Sequence, residues 1–557
     1  MKTESAIGFG FDPPDNASLY SIVSDAASRD PLRESLGGAD GVLLTCAGLD
    51  AGVRAVAAAL LEREVATGDR VAVLGRTGLE WALLNLAALA VGAVVVPVYP
   101  TSSPAQIEHM LSDSGSTYFA AETAADAARL TAAGAGTVWT FEEIAAWSRA
   151  SADATEALDA RIAAVRSDDL AMIVYTSGTT GLSKGCMITH RNMHVSSANT
   201  VRQAAELFEG ASRTALALPL AHVFGQTMLF ACLVGGASTT LLPGIPDLVP
   251  ALTRIQPTFL ALVPYALEKI RKNIRALLTE ESERDAVVTG LLRLEAGESP
   301  VAVDHPVAHA LGGRLRYVIS GGASLDDTTA GFYAAFGTVI LNCYGLTEAA
   351  TAVTVSAPKT YRVGTVGGPI PGTAVGIAED GEVLVRGPHV SPGYWGAARE
   401  QRPVDADGWL HTGDIGELDG GLLRITGRKK EILVTSGGKN VAPTPLEDRV
   451  RLHPLVSNCM VVGEGRAFVT ALVTMDAARL EAWRAEHPEG DPAVAVQTAV
   501  DDANSLVSRA ESIREFRIVD GDFTVEGGLL TSSLKLRRAA IAESYSADID
   551  QLYMSRG

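Results

Sequence analysis

Tyr175-Thr-Ser-Gly-Thr-Thr-Gly-Leu-Ser-Lys-Gly185 is the stretch of sequence that decides both the fold and the chemistry. It continues a short apolar run, Met172-Ile-Val-Tyr, which has the composition of a buried β-strand. Its glycines let backbone N–H groups approach an anion closely, its hydroxyls can donate hydrogen bonds, and Lys184 adds positive charge. The spacing differs from a P-loop, because Lys184 follows Gly181 by three residues and precedes Gly185. We therefore predict a strand followed by a phosphate-binding loop of another kind.

Short β-rich runs alternate with helical patterns on both sides of this loop, as in an α/β protein with a largely parallel sheet. A helix is predicted within residues 50–67, where apolar residues recur on one face. Strands are predicted at Arg70-Val-Ala-Val-Leu, Ala215-Leu-Ala-Leu, Phe259-Leu-Ala-Leu-Val and Leu315-Arg-Tyr-Val-Ile. Ligands of parallel sheets bind where strands end in loops, so the polar residues after these runs are candidates for a site.

The pattern changes twice in the second half of the chain. Residues 364–426 have the pattern of short strands with frequent Gly and Pro. Residues 431–557 follow a polar linker and have predicted strands and helices of their own. We predict a large N-terminal domain, 1–426, of layered α/β subdomains with a β-rich subdomain. A hinge at 427–430 and a small α+β C-terminal domain, 431–557, follow. Residues 278–304 are polar and acidic and are predicted to be a surface insertion.

The composition excludes several classes of function. The 557 residues include 46 Lys and Arg against 65 Asp and Glu, a formal net charge of −19. Nucleic acids and anionic membranes bind basic faces, so we expect no nucleic-acid partner and only hydrophobic, peripheral contact with any membrane. The five cysteines are far apart and never in CxxC spacing, which argues against a disulfide framework or structural zinc. Together with an N-terminus that lacks a signal-peptide pattern, this favours a cytoplasmic protein.

One apolar stretch, Trp81 to Val98, is long enough to cross a bilayer. It contains Asn85 and Pro97 and divides at Gly92. We interpret its first half as a buried helix and its second half as a buried strand, and we expect no transmembrane segment.

The phosphate loop resembles that of the adenylate-forming superfamily, which includes acyl-CoA synthetases, peptide-synthetase adenylation domains and luciferases. The family's other signatures follow in order and span nearly the whole chain. They are Ser320-Gly-Gly-Ala323, Tyr344-Gly-Leu-Thr-Glu348, Gly408-Trp-Leu-His-Thr-Gly-Asp414, Gly427-Arg-Lys-Lys-Glu-Ile432, Ser436-Gly-Gly-Lys-Asn-Val-Ala-Pro443 and a lysine in Leu534-Lys-Leu-Arg-Arg538. Ile188-Thr-His-Arg-Asn192 and Gly438-Lys-Asn-Val-Ala-Pro443 are most similar to the long-chain fatty-acid branch.

The resemblance implies a set of ATP-binding residues. The phosphate loop supplies Thr176, Ser177, Gly178, Thr179, Thr180, Gly181 and Lys184. The adenine is expected against Gly321, Gly322, Ala323, Tyr344 and Gly345, the α-phosphate near Thr347, and the ribose at Asp414 and Arg428. A carboxylate is a hard oxygen ligand, so Glu348, with Thr176, is the predicted site of Mg²⁺ on the phosphates.

Three further elements are implied to act in catalysis. Lys535 is expected to lie between the substrate carboxylate and the α-phosphate, where loss of such a group typically costs about 10²–10³ in rate. Lys430 occupies the position about which relatives pivot the C-terminal lid domain, and Gly437 and Gly438 are expected to line the tunnel for CoA. The acyl pocket is expected at His222, Phe224, Val263, Pro264 and Gly321. Gln226 and Thr227 stand where many long-chain relatives carry charge, which leaves the acyl length open.

We therefore predict an AMP-forming acid–thiol ligase that uses ATP, Mg²⁺ and CoA to convert a fatty acid, of medium to long chain, into acyl-CoA through acyl-AMP. One alternative transfers the acyl group to an acyl carrier protein, and another activates an aryl or amino acid. A non-enzymatic nucleotide sensor would lack Lys184, Glu348, Asp414 or Lys535, and all four are present. The sequence does not decide between a monomer and a homodimer.

Overall fold

The computed structural model describes residues 2–5, 10–150, 155–176, 183–323, 325–525, 527–531 and 535–554. Its contacts divide the chain into two compact units. The N-terminal unit is Met1–Ala323, Asp327–Thr412 and Leu418–Arg424, and the C-terminal unit is Ser324–Asp326, Gly413–Glu417 and Ile425–Gly557.

The regular elements alternate along the chain as the sequence predicts. The strands are β1 Lys2–Ser5, β2 Glu34–Gly37, β3 Leu43–Thr45, β4 Arg70–Leu74, β5 Val94–Val98, β6 Tyr118–Ala121, β7 Val138–Thr140, β8 Leu170–Thr176, β9 Lys184–Thr189, β10 Arg213–Leu216, β11 Ser238–Leu241, β12 Phe259–Leu262, β13 Tyr317–Ser320, β14 Val339–Leu346, β15 Thr351–Val355, β16 Gly368–Pro369, β17 Ala374–Ile377, β18 Glu382–Arg386, β19 Leu410–Asp419, β20 Leu422–Arg428, β21 Leu433–Val434, β22 Asn440–Val441, β23 Val456–Val462, β24 Val469–Met475 and β25 Ile513–Ile518. The helices are α1 Ser21–Arg29, α2 Cys46–Glu62, α3 Leu79–Ala90, α4 Pro104–Ser114, α5 Ala124–Ala132, α6 Phe141–Arg149, α7 Glu156–Ala164, α8 His190–Gln203, α9 Val223–Gly235, α10 Ile245–Ile255, α11 Pro264–Ile274, α12 Glu280–Glu295, α13 Pro306–Ala310, α14 Asp327–Ala335, α15 Pro443–Arg451, α16 Ala477–Glu486, α17 Pro492–Asn504, α18 Arg538–Ser544 and α19 Ser546–Met554.

A six-stranded sheet of order β7-β6-β4-β5-β8-β9 carries the phosphate loop. Its strands pair in parallel except β8 and β9, which form an antiparallel hairpin at the sheet edge. The loop therefore joins two neighbouring antiparallel strands, and its first and last residues lie opposite each other.

A nine-stranded sheet of order β16-β15-β14-β13-β12-β10-β11-β2-β3 carries most of the other predicted motifs of the N-terminal unit. Its central strands β14, β13, β12, β10 and β11 are parallel. The loops after β10, β12, β13 and β14 consequently emerge at one edge, where the sequence predicts ligand contacts.

The apolar stretch from Trp81 to Val98 forms α3 and β5, joined at Gly92, as predicted. Every residue of α3 from Trp81 to Ala90 is buried, which explains its lack of a polar face. In the part of the chain that the structure describes, no helix has both the length and the apolar character needed to span a bilayer.

The predicted surface insertion, 278–304, contains α12, which packs tightly against α14. A Cβ added at Gly290 would lie 1.7 Å from the carbonyl oxygen of Gly331, so only glycine permits this approach of the two helices. The segment is therefore half of a packed helix pair, although several of its side chains are exposed.

The remaining strands form smaller sheets. A five-stranded sheet has the order β1-β17-β18-β19-β20, in the region predicted to be rich in short strands. In the C-terminal unit, β23-β24-β25 form a three-stranded sheet whose core includes Val450, Val469, Val473 and Val496. The predicted α/β fold class, with a large N-terminal and a smaller C-terminal domain, is confirmed. All five cysteines carry free thiols.

Candidate active site

The phosphate-loop hairpin brings Thr176 and Lys184 together. Thr176 ends β8, Lys184 begins β9, and the two are register partners; the Thr176 hydroxyl lies 3.5 Å from the Lys184 carbonyl oxygen. A Cβ on Gly185 would lie 2.6 Å from Ile173 Cγ2, so the residue after Lys184 must be small for the hairpin to close. The other predicted loop residues lie outside the described residues; they are Ser177, Gly178, Thr179, Thr180 and Gly181.

The Lys184 ammonium is held at the mouth of this loop. It donates a hydrogen bond to Gln401 Oε1, and its Nζ lies 5.3 Å from the centre of the Tyr394 ring. The side chain is partly exposed. A cation in this position can both contact the negative face of the ring and reach an anion bound by the loop.

Glu348 lies in a short 3-10 turn, Thr347–Ala349, directly after β14. Its Oε1 accepts a hydrogen bond of 2.6 Å from the Tyr394 hydroxyl, and its backbone carbonyl accepts one of 2.8 Å from the Ser391 N–H. Burial, and then the adjacent Glu348 carboxylate, raise the pKa of the Tyr394 phenol well above its ordinary value. The phenol therefore stays protonated at neutral pH and donates to the carboxylate.

The donor chemistry fits a magnesium ion carried in with the nucleotide. Among the described residues, no group of three or more His, Cys, Asp and Glu side chains is placed to enclose a metal by itself. Mg²⁺ is usually held by one or two carboxylates together with substrate phosphates and water. Glu348, with the Thr176 hydroxyl as the second predicted ligand, matches that requirement.

The turn predicted to face adenine follows β13. Gly322 has a φ of +89°, a conformation that favours glycine, and a Cβ there would lie 3.8 Å from Val263 Cγ1. A Cβ on Gly321 would lie only 2.5 Å from Cys343 Sγ on the neighbouring strand β14. The turn thus packs directly against the strand that leads to Tyr344 and Glu348, and Ala323 completes it.

Tyr344 and Gly345 lie within β14 rather than in the loop after it. The register with β15 shifts between these two residues, and a Cβ on Gly345 would lie 1.3 Å from the Thr351 carbonyl oxygen. Gly345 therefore does not end the strand. Its role is to allow an irregular, close strand pairing, which sets the course of the chain into Thr347 and Glu348.

The predicted acyl-pocket residues lie at the starts of two helices. His222 caps α9, where its Nδ1 accepts from the Phe224 N–H at 3.1 Å, so the proton of the neutral ring is on Nε2. Its ring centre is 6.2 Å from that of Tyr99, and Phe224 is buried. Val263 and Pro264 begin α11, after the neighbouring strand β12.

A buried polar cluster underlies His222. Gln226 donates to the Leu220 carbonyl at 2.7 Å and accepts from the Asn85 amide at 3.1 Å. The Thr77 hydroxyl donates to the Leu218 carbonyl at 2.7 Å and accepts from the Leu220 N–H at 3.0 Å. These side chains fix the loop that carries His222, which gives Gln226 a structural role that its position in the sequence did not reveal.

In the C-terminal unit, the structure pairs two of the predicted nucleotide-binding residues. Asp414 on β19 is buried, and its Oδ1 lies 3.1 Å from Arg428 Nε on β20. Asp414 is thus a strand residue rather than part of a simple turn. Lys430 follows β20 and is exposed, and Gly437 and Gly438 form the exposed turn between β21 and β22.

The backbone of Lys535 is held by two hydrogen bonds to Thr531. Its N–H donates to Thr531 Oγ1 at 3.0 Å, and its carbonyl accepts from the Thr531 N–H at 2.8 Å. Arg538, three residues later, makes two hydrogen bonds of 2.7 and 2.6 Å to the buried Glu447 carboxylate. This ion pair anchors α18, and with it the segment that presents the exposed Lys535.

Sequence reasoning missed the residues that brace these motifs. Tyr394 contacts both Lys184 and Glu348. On α4, His109 lies 2.8 Å from the Ser183 carbonyl, and Asp113 accepts from the Tyr175 hydroxyl at 2.8 Å. The available signals were Ser391-Pro-Gly-Tyr-Trp395, an aromatic pair after a turn, and the i, i+4 spacing of the two polar residues on α4.

Comparisons with known proteins identify the family and the fold. Residues 23–395 match the AMP-binding enzyme family, and residues 430–557 match the AMP-binding enzyme C-terminal domain. The chain is 38% identical to the long-chain-fatty-acid–CoA ligase FadD15 of Mycobacterium bovis over 92% of each chain. Among solved structures, ATP-bound MatB from Rhodopseudomonas palustris is similar with a TM-score of 0.71 and 25% identity, over 95% of this chain and 99% of that one. The o-succinylbenzoate–CoA synthetase MenE of Bacillus subtilis, in complex with ATP and magnesium ion, shares the fold with a TM-score of 0.69 and 21% identity, over 94% of this chain and 99% of that one.

Proposed function

The chain belongs to the AMP-binding enzyme family, and from that premise we propose that it is a fatty-acid–CoA ligase that forms AMP and pyrophosphate. The observation that carries the proposal is the arrangement at the phosphate-loop hairpin. Lys184 lies over one side of the Tyr394 ring, and the Tyr394 hydroxyl donates a hydrogen bond to the Glu348 carboxylate. A cation and the carboxylate predicted to bind magnesium are thus held around the mouth of a loop rich in Ser, Thr and Gly.

In the first half-reaction, the substrate carboxylate attacks the α-phosphorus of ATP and pyrophosphate leaves. The protein has little covalent work to do, so positioning and neutralisation of charge dominate. We assign Lys184 and the phosphate loop to the departing phosphates, and Thr347 to the α-phosphate. The magnesium ion that Glu348 and Thr176 would hold neutralises negative charge on the phosphates when it is bound.

The adenosine is assigned to two groups of residues. Gly321, Gly322, Ala323 and Tyr344 face the adenine in this proposal, and the paired Asp414 and Arg428 contact the ribose. A buried carboxylate has two acceptors for the two ribose hydroxyls, and the Arg428 guanidinium 3.1 Å away orients the carboxylate. Lys535 is assigned to the reacting carboxylate and α-phosphate, where its charge reduces their mutual repulsion.

In the second half-reaction, the CoA thiolate attacks the acyl carbon and AMP leaves. We propose that the C-terminal domain changes its orientation about Lys430 between the two steps, which removes Lys535 and brings Gly437 and Gly438 to the thiol substrate. His222, with Phe224, Val263 and Pro264, is assigned to the acyl group. Similarity to a long-chain-fatty-acid–CoA ligase over 92% of the chain supports a fatty acid as substrate and CoA as acceptor.

A medium to long acyl chain and a cytoplasmic location are predictions from the sequence, and transfer to an acyl carrier protein is the alternative to transfer to CoA. The buried Gln226, which hydrogen-bonds to Asn85 and to the loop before His222, bears on the first of these. Gln226 is a neutral amide that uses one N–H and its carbonyl oxygen in these two hydrogen bonds, so it supplies no charge at this position and we expect an uncharged acyl tail.

Product analysis tests the proposal. The purified protein is incubated with MgATP and an equimolar mixture of C2 to C20 carboxylic acids, with and without CoA, and the products are identified by mass spectrometry. The proposal predicts fatty acyl-CoA, AMP and pyrophosphate when CoA is present. Acyl-AMP that accumulates unchanged in the presence of CoA would refute CoA as the acceptor, and preference for an aryl acid would refute the fatty-acid assignment.

A further inference from the structure

The segment 391–395, hereafter the connector, joins two motifs that are far apart in the sequence. On one side it binds the motif that contains Glu348. The Ser391 N–H donates to the Glu348 carbonyl at 2.8 Å, and the Tyr394 hydroxyl donates to Glu348 Oε1 at 2.6 Å. Backbone and side chain of the same carboxylic acid are therefore both held by the connector.

On its other side, the connector pairs with β9, the strand that follows the phosphate loop. The Met187 N–H donates to the Gly393 carbonyl at 3.0 Å, and the Trp395 N–H donates to the Gly185 carbonyl at 2.7 Å. The Ser391 hydroxyl donates to the Met187 carbonyl at 2.7 Å. The Cys186 thiol also donates to Ser391 Oγ at 3.4 Å. The connector is thus fixed to the phosphate-loop hairpin by four hydrogen bonds, two of them between backbone groups.

Tyr394 contacts both the phosphate-loop hairpin and the motif that contains Glu348. Its backbone forms a bridge with Cys186 on β9, its ring lies 5.3 Å from the Lys184 ammonium, and its hydroxyl reaches Glu348. A carboxylate at the end of a flexible side chain has several rotamers of similar energy. A hydrogen bond from a rigid aromatic donor selects one of these rotamers. The connector binds Oε1 of Glu348 and makes no hydrogen bond to Oε2.

We propose that Tyr394 is a positioning residue that fixes the Glu348 carboxylate for the magnesium ion of MgATP, at a distance from Lys184 set by the connector. The inference rests on the proposed function, because it needs Glu348 to bind that ion. It adds to the proposal a residue outside the phosphate-loop and Tyr344–Glu348 motifs. It also gives the connector a role in magnesium-dependent nucleotide binding.

Nucleotide binding with and without magnesium tests the inference, independently of turnover. Dissociation constants of wild type and Tyr394→Phe are measured by isothermal titration calorimetry with MgATP, and with ATP in excess EDTA. Phenylalanine keeps the ring next to Lys184 and removes only the hydroxyl. We expect MgATP binding to weaken about 10- to 150-fold, the range for a lost hydrogen bond to a charged group. Binding of metal-free ATP should change less than about twofold.

The matched control is Tyr333→Phe. Tyr333 is buried in the N-terminal unit, and its hydroxyl donates to the Leu267 carbonyl at 2.9 Å. This variant loses a tyrosine hydroxyl and its hydrogen bond to a backbone carbonyl away from the phosphate loop, and both ATP affinities should remain those of wild type. In a Glu348→Gln background, Tyr394→Phe should cause no further loss of MgATP affinity.

The outcomes separate the inference from the function on which it rests. If wild type binds MgATP no more tightly than metal-free ATP, the magnesium site of the proposed function is refuted, and the inference with it. If wild type binds MgATP more tightly than metal-free ATP and Tyr394→Phe shows the same difference in affinity, the inference alone is refuted. Two other results would each show that Tyr394 only stabilises the fold. In the first, Tyr394→Phe lowers the affinity for MgATP and for metal-free ATP by the same factor. In the second, it weakens MgATP binding as much in the Glu348→Gln background as in wild type.

Discussion

Replacing Gly321 by alanine should weaken ATP binding, because the turn predicted to face adenine packs against the strand that leads to Glu348. The new Cβ would lie 2.5 Å from Cys343 Sγ and 3.3 Å from the Cys343 carbonyl oxygen. Apolar contacts of this kind are comfortable at about 3.5–4 Å. The turn and β14 must therefore separate by about 1 Å, and Tyr344, the next residue of β14, must move with it.

The magnitude follows from the cost of overpacking. Forcing an extra methyl group into a packed site typically costs about 1–3 kcal/mol. The free protein can relieve this strain by displacing β14, but nucleotide binding requires Tyr344 and Glu348 to return. If all of the strain appears in binding, the dissociation constant for ATP rises roughly 5- to 150-fold.

A second substitution relieves the strain selectively. Cys343→Ala removes the sulfur, and the nearest remaining atom to the Cβ of Ala at position 321 is then the backbone oxygen at 3.3 Å, a tight but tolerable contact. The double variant should regain most of the lost affinity. Gly136→Ala is the control, because a Cβ at Gly136 would meet no atom within 4 Å.

Isothermal titration calorimetry with ATP, together with urea unfolding of each variant, measures both effects. If Gly321→Ala lowers stability but binds ATP like wild type, the turn does not border the nucleotide. If the double variant binds no better than Gly321→Ala, the clash with Cys343 is not the cause of the loss. Either result would refute the reasoning.

Two further predictions concern stability and the separate half-reactions. Burial lowers the pKa of His190 to about 3 and of His194 and His389 to about 4, so these rings are neutral when folded and take up protons on unfolding. The free energy of unfolding should have its full value above about pH 7 and fall below pH 6.5, by roughly 2 kcal/mol for each ring at pH 5. A urea midpoint that is the same at pH 7.5 and at pH 5 would contradict this. Lys535→Ala should slow acyl-AMP formation about 10²- to 10³-fold while conversion of supplied acyl-AMP to acyl-CoA continues, whereas Lys430→Pro should impair the second step more than the first. Chemical quench of each half-reaction measures both, and a variant that slows both steps equally would contradict the assignment.

Much of the N-terminal fold follows from local sequence pattern. The run from Trp81 to Val98 is almost wholly apolar, yet Gly92 separates a helix from a strand, and the structure divides it there. The stretch around Tyr175 ends in Gly, Ser and Thr, and the structure ends β8 at Thr176. Short-range signals such as these decide where an element begins and ends, because they act through backbone conformation and burial.

The contacts that organise the site depend on residues distant in sequence, and no local pattern reveals them. Tyr394 and Glu348 are 46 residues apart, and their hydrogen bond exists only because the connector pairs with β9. The role of Gly345 depends on the approach of Thr351 from β15, which the sequence around Gly345 does not show. Asp414 is not marked by local sequence as an ion-pair partner of Arg428, because the pair requires β19 and β20 to lie side by side.

The fate of carboxylate oxygen tests the central claim most directly. A fatty acid with both carboxyl oxygens replaced by ¹⁸O is incubated with the protein, MgATP and CoA, and AMP and acyl-CoA are examined by mass spectrometry. If the carboxylate attacks the α-phosphorus and the thiolate then attacks the acyl carbon, one ¹⁸O atom remains on AMP and one on the thioester carbonyl. Unlabelled AMP, or ADP and phosphate in place of AMP and pyrophosphate, would contradict the account.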